Sequence, residues 1–162
     1  RGEGTVTGNT TIGNGGTLAA GTTVANDIGT LSFSNDLTSA AGSTWLVDLN
    51  AAVSGDSDLI AVTGNLSLSG PTFPTLALND FGTFIEGNVY SIATYSSLAV
   101  GSQFNGLGEN AIVVGSQGSY RINYGAGAIT LTAVPEPLTI LPLVGLLFAG
   151  FLMIRRRRKV SA

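Results

Sequence analysis

Between Gly2 and Val134 the chain alternates short apolar segments with small polar residues. Six segments show the alternation best: Thr30–Ser34, Trp45–Leu49, Leu59–Val62, Asn65–Leu68, Val89–Ile92 and Ala128–Thr132. Most of them place apolar side chains at every second position, as half-buried strands do. No stretch before residue 138 combines a 3.6-residue period with helix caps. The pattern therefore predicts an all-β body that contains no helix longer than two turns.

Glycine and asparagine separate these segments, for example at Gly8-Asn9, Gly64-Asn65 and Gly87-Asn88. Strand-like segments recur at intervals of roughly 10–15 residues. This spacing favours a parallel β-solenoid, in which each coil buries its apolar side chains against its neighbours. No strict repeat length is visible. A β-sandwich is the alternative, above all after residue 80, where the aromatic residues of the body concentrate.

The C-terminal part of the chain has a different pattern. The 17 residues from Leu138 to Ile154 carry no charge, and five cations follow at once: Arg155, Arg156, Arg157, Arg158 and Lys159. As a helix with a rise of about 1.5 Å per residue, this segment measures roughly 26 Å, close to the ~30 Å hydrocarbon core of a bilayer. The basic cluster resists translocation and keeps its end in the cytoplasm. The sequence thus predicts one transmembrane helix over 138–154, with the body on the opposite side.

Charge and composition narrow the functional classes. Residues 1–134 hold two cations, Arg1 and Arg121, against nine acids, a net charge of about −7. Such a body cannot neutralise a row of phosphates, which argues against nucleic-acid binding. The absence of Cys and His excludes disulfides, thiolate metal sites and imidazole-based triads. Because the chain starts at Arg1 and not at Met, we expect it to be the C-terminal part of a longer exported protein.

A short proline-containing motif precedes the apolar segment. The motif consists of Val134, Pro135, Glu136 and Pro137. Thr139, the apolar segment and the four arginines follow it in that order. In this order residues 134–159 resemble the PEP-CTERM sorting signal of Gram-negative-type bacteria. The resemblance implies recognition by a membrane transpeptidase, the exosortase, which removes the tail and leaves the body released or attached at the cell surface. The two prolines fix their own φ angles and favour extended neighbours, so we expect a stiff segment beside the bilayer.

Residues 4–70 carry a second resemblance. The segments 13–21, 28–31, 42–44 and 57–64 resemble the autotransporter-type β-strand repeats of bacterial surface proteins, and they depart from that pattern at Ala20, where the repeat usually has proline. Those repeats form right-handed β-helices, and similar sequences often precede a PEP-CTERM tail. The resemblance implies a right-handed parallel β-helix for the body.

Few residues of the body suggest chemistry. Asp56-Ser57-Asp58 is the one close carboxylate pair and could bind Ca²⁺, but an exposed polar loop is the simpler interpretation because the calcium-binding nonapeptide pattern is missing. Asp48 and Asp58 could form a glycosidase pair if they met. Trp45 with Tyr90 or Tyr95 could stack on a sugar, although most such aromatics are core residues. We predict no catalytic residue, no metal site and no cofactor.

Together these observations predict two parts: an all-β extracytoplasmic domain over 1–133 and a sorting and anchor tail over 134–162. We expect a non-enzymatic structural or adhesive protein with an exosortase, the membrane and exopolysaccharide as partners. It would be anchored in the inner membrane as a precursor and then reach the cell envelope or extracellular surface. Two alternatives stay open: the end of a polysaccharide-active β-helix enzyme whose active site lies upstream, and a single-span protein that keeps its anchor.

Overall fold

The computed structural model describes residues 1–136 except Thr23, Ala25 and Pro71. These residues form 14 strands: β1 (Gly4–Val6), β2 (Thr10–Ile12), β3 (Thr17–Leu18), β4 (Thr30–Phe33), β5 (Leu37–Ser39), β6 (Thr44–Asn50), β7 (Leu59–Val62), β8 (Asn65–Leu68), β9 (Thr75–Phe81), β10 (Val89–Thr94), β11 (Ser97–Leu98), β12 (Ile112–Val114), β13 (Ser119–Gly125) and β14 (Ala128–Val134). All six predicted strand segments are confirmed.

The described residues contain no helix, and so none there could cross a bilayer. The absence of helix between residues 2 and 134 confirms the all-β prediction for the residues that the structure covers. The predicted transmembrane helix over 138–154 and the basic cluster from Arg155 to Lys159 lie outside the described residues, and both stay predictions.

The strands wind into a parallel β-solenoid of about three turns. Each of the three complete coils supplies one strand to each of three sheets, and β10 and β11 begin a further coil. The first sheet receives β1, β4, β7 and β10, the second β2, β5, β8 and β11, and the third β3, β6 and β9. All pairs between successive coils are parallel. Equivalent corner residues lie 27, then 29, then 32 positions apart. The predicted solenoid is confirmed, and this drift in coil length explains why no strict repeat is visible in the sequence.

Polar residues stack at the corner between the first and second sheets, where Gly8-Asn9 and Gly64-Asn65 predict turns. The backbone N–H of Asp36 donates to Asn9 Oδ1 at 3.4 Å, and the N–H of Asn65 donates to Asp36 Oδ1 at 2.8 Å. A Cβ added at Gly64 would lie 2.8 Å from the carbonyl carbon of Asn35. The close approach of successive coils therefore requires glycine at this corner.

The interior of the coils is filled by the apolar side chains of alternate positions. In β6, for example, Trp45, Val47 and Leu49 are buried inside the solenoid. The outward positions carry stacked hydroxyl groups instead, such as the parallel rows Thr17–Thr44–Thr75 and Thr11–Thr38–Ser67. The period-two pattern thus sorts apolar residues into the core and threonine and serine onto the outer faces.

Beyond residue 81 the pairing changes. β10 is parallel to β7 on one side but antiparallel to β14 on the other, and β13 and β12 continue the sheet in antiparallel order. The first sheet therefore has seven strands, in the order β1-β4-β7-β10-β14-β13-β12. The β-sandwich alternative, which the sequence favoured most for this region, is wrong because the antiparallel strands extend a sheet of the solenoid. The aromatic residues concentrated here close the core at this end, with Phe84 and Tyr90 each packing edge-on against Tyr120.

Candidate functional site

The predicted sorting motif begins inside the last strand. Val134 is the final residue of β14 and pairs with Ser119 of β13. Pro135 and Glu136 follow directly and are exposed, whereas Pro137 lies outside the described residues. Proline has no backbone N–H and cannot continue a paired strand, so β14 ends where Pro135 begins. No spacer separates the last strand from the motif.

Asp48 and Asp58, which the sequence could not place relative to each other, are in contact. After β6 the chain reverses, and Ser57 pairs antiparallel with Leu49. The N–H of Asp58 donates to the Asp48 carbonyl at 2.8 Å, and the N–H of Asp48 donates to Asp58 Oδ2 at 3.0 Å. The Gly29 N–H donates to the other oxygen of Asp58, also at 3.0 Å. The Asp58 carboxylate therefore ties the turn after β6 to the segment before β4.

The Asp48 carboxylate points outward from β6 and is nevertheless fully buried. Arg1 approaches it at 2.6 Å through Nη1, and Asn79 of the neighbouring strand β9 donates to it at 2.8 Å through Nδ2. Glycosidase carboxylates must face a sugar across a gap of roughly 5–9.5 Å. Here both carboxylates are enclosed and hydrogen-bonded to protein groups, so the arrangement supports a structural role.

The Asp56-Ser57-Asp58 segment is not the exposed loop that the sequence suggested. Ser57 and Asp58 are buried, because the antiparallel pairing with β6 covers them. Asp56 accepts a hydrogen bond from Asn50 Nδ2 at 3.0 Å, whereas Ser57 donates to the Ser91 carbonyl at 3.2 Å. The side-chain oxygens of Asp56 and Ser57 thus bind different protein groups and do not converge on one point. In the part of the chain that the structure covers, no group of three or more acidic residues is placed to hold a metal ion.

The three aromatic residues considered for sugar stacking are core residues. Trp45 and Tyr90 are fully buried, and Tyr95 is 7% exposed. The Trp45 indole N–H donates to Ser39 Oγ at 2.9 Å, and its ring packs edge-on against Phe104 with centroids 5.3 Å apart. None of them offers a face to a ligand, which confirms the core interpretation.

One buried carboxylate was missed by sequence reasoning. Asp80 lies near the end of β9 and accepts hydrogen bonds from the turn between β12 and β13 and from Tyr120. Asp80 follows Leu78 by two residues and Leu76 by four, so it lies on the same, inward face of the strand. An acid at an inward position of a predicted strand is the signal that could have identified it.

Comparison with known protein families, curated proteins and solved structures finds no match to this chain.

The pKa values of two buried aspartates, Asp58 and Asp80, should be shifted in opposite directions. Burial raises the pKa of Asp58, although the N–H groups of Asp48 and Gly29 partly oppose this. The protonated form of Asp58 thus favours folding, and this contribution is present at low pH and is lost as the pH rises through its folded-state pKa. We expect carboxyl NMR titration, assigned with Asp58→Asn, to give Asp58 a pKa above that of an ordinary aspartate and Asp80 one below it. Titration of Asp58 together with exposed aspartates would contradict the burial described above.

Proposed function

We propose that this chain is the distal β-solenoid and sorting tail of an exported bacterial surface or matrix protein with a structural or adhesive role. In this proposal the solenoid is right-handed, residues 138–154 span the inner membrane, and Arg155 to Lys159 stay in the cytoplasm. An exosortase recognises Val134 to Pro137, and the body then passes to the cell envelope or the exopolysaccharide matrix.

One observation carries the proposal: the motif stands between the last strand and the apolar segment. β14 extends through Val134, and the exposed Pro135 and Glu136 follow without a spacer. An extended, exposed segment without a backbone N–H at its prolines cannot be drawn into the sheet, which keeps it available to an enzyme. The apolar residues that begin at Leu138 would hold it beside the membrane.

The body supports the structural part of the proposal. Its outer faces carry rows of threonine and serine, and the acidic residues that the sequence singled out are bound by protein groups. Every buried side-chain N or O atom of the described residues has a hydrogen-bond partner. A solenoid of this kind is a rigid spacer whose coils repeat the same contacts.

Changing Pro135, Glu136 and Pro137 together to alanine tests the sorting step. In a bacterium that has an exosortase, we expect the variant to be translocated normally, because the apolar segment and the basic cluster are unchanged. Uncut precursor should accumulate in the membrane, whereas wild-type protein recovered from the surface should have an intact mass that lacks most of residues 138–162.

Glu86→Ala is the matched control, since Glu86 is also an exposed glutamate outside any strand. We expect it to be processed like the wild type. Recovery of surface protein that still carries Leu138 to Ala162 as its main form would reject sorting and support the permanently anchored alternative.

A further inference from the structure

The outer face of the antiparallel strands carries aliphatic side chains beside the point where the chain leaves the fold. Two cross-strand rows form this face. In the first row, Val114 of β12 pairs with Ser119 of β13, and Ser119 pairs with Val134 of β14. In the second row, Ile112 pairs with Arg121, Arg121 with Thr132, and Thr132 with Val89. Paired residues project on the same side of a sheet. We call the surface formed by Val89, Ile112, Val114 and Val134 the exit face.

Three of the four side chains of the exit face are exposed, and the fourth, Val134, is half-buried. Val114 is 75% exposed, Ile112 44% and Val89 42%, whereas the alternate positions Val113 and Tyr120 point into the core. Single exposed valines are common on protein surfaces, but four aliphatic side chains in two adjacent rows of one sheet form a patch. Arg121 lies within it and is exposed. The exit face therefore combines apolar side chains with one cation.

The chain restricts what can lie next to this face. Residues 135 to 137 separate Val134 from Leu138, and the four Cα–Cα steps between those two residues span at most about 14 Å when fully extended. The headgroup layer on each side of a bilayer is roughly 5–8 Å thick. If residues 138–154 span the membrane, the end of β14 stands at the lipid headgroups or within about 10 Å of them.

We propose that the exit face rests on the membrane interface while the precursor is anchored. This inference depends on the proposed anchoring of residues 138–154. The valine and isoleucine side chains enter the boundary between headgroups and acyl chains, and the Arg121 guanidinium reaches lipid phosphates, as basic residues do at membrane surfaces. Because the body is acidic overall, apolar contact and the short tether carry the association, and neutral lipids suffice.

A second copy of the chain fits this face less well. A two-fold symmetric dimer through the exit face would bring the two Arg121 side chains towards each other. The four aliphatic side chains also cover far less than the ~800 Å² that each partner of a stable complex usually buries. The bilayer interface satisfies both the apolar groups and the cation.

Site-specific labelling can test the proposal, because the chain contains no cysteine of its own. Single variants Val114→Cys, Val100→Cys and Leu146→Cys of the full chain would be labelled with an environment-sensitive fluorophore and reconstituted into phosphatidylcholine vesicles. Val100 is the matched control: it is a fully exposed valine that follows β11 in the second sheet, away from the exit face. We expect a blue-shifted emission and quenching by headgroup-labelled lipid at position 114 but not at position 100.

The label at position 146 separates the two proposals. Quenching there by acyl-chain-labelled lipid, with position 114 remaining in water, would overturn the docking of the exit face and leave the anchor intact. An unquenched label at position 146 would overturn the anchor, and with it the docking. Val89→Glu together with Ile112→Glu should abolish the quenching at position 114 without affecting position 146; unchanged quenching at 114 would also reject the proposal.

Discussion

Asp80→Ala is expected to lower the free energy of unfolding by about 3–5 kcal/mol, because it removes a buried carboxylate that accepts four hydrogen bonds, one of them from the buried Tyr120 hydroxyl. The Asp80 carboxylate accepts from the N–H of Ser116 at 2.5 Å, the hydroxyl of Ser116 at 2.9 Å, the N–H of Gln117 at 2.8 Å and the hydroxyl of Tyr120 at 2.9 Å. These bonds fasten the turn between β12 and β13 to β9. Without them this turn should detach from the third coil, while the pairing of β14 with β10 remains.

Denaturation by urea, followed by far-UV circular dichroism of the full chain in mild detergent, measures this loss. Tyr120→Phe is the control, since it removes one of the donors and leaves the carboxylate bound to Ser116 and Gln117. We expect it to cost about 1 kcal/mol. Equal effects of the two substitutions would show that Asp80 does not anchor the turn.

The same contacts make the protein sensitive to acid. Burial by itself raises the pKa of Asp80, but the hydrogen bonds from Gln117, Ser116 and Tyr120 outweigh it and hold the pKa below its ordinary value. The ionised form therefore favours folding. Its contribution is complete above the unfolded-state pKa of about 3.9 and is lost as the pH falls through the lower folded-state value. The wild type should lose stability over this range, and Asp80→Ala should lose less.

Trp45→Ala is expected to cost about 3–5 kcal/mol, because it opens a cavity in the centre of the solenoid. Trp45 is completely buried and lies in the coil between Leu18 and Leu76, its partners in β3 and β9. Its ring also supports Phe104, whose N–H donates to the Tyr124 hydroxyl at 2.9 Å. The substitution therefore weakens both the stacking of the coils and their closure at the antiparallel end.

Trp45→Phe separates packing from hydrogen bonding. It retains an aromatic ring and loses the indole N–H, and the Ser39 hydroxyl still has the Ser43 hydroxyl as a partner at 2.8 Å. We expect a clearly smaller loss than for Trp45→Ala, measured by the same urea titration. A loss as large as that of Trp45→Ala would assign the stability to the indole hydrogen bond and not to packing.

Sequence alone predicted the strands because local alternation reports which side of a strand is buried. Leu59–Val62 and Asn65–Leu68 match β7 and β8 residue for residue, and Gly64 of the predicted turn lies between them. It also favoured the solenoid over the sandwich, since small polar residues at regular turns suit stacked coils. The sorting motif from Val134 to Pro137 was also predicted from local features, namely two prolines and an adjoining apolar segment, and it stays a prediction.

The sequence alone could not predict which distant residues pair. The coils differ in length, so nothing in the order of residues placed Asp48 beside Arg1 and Asn79, or Asp80 beside the turn at Ser116 and Gln117. Whether a polar side chain is exposed or buried depends on which strand covers it. For Ser57 and Asp58 this strand is β6, because the chain reverses after β6 and pairs with it. Local pattern thus determined the strands and their inward faces, whereas only the tertiary structure decided the partners of the buried polar groups, because those contacts join residues far apart in the chain.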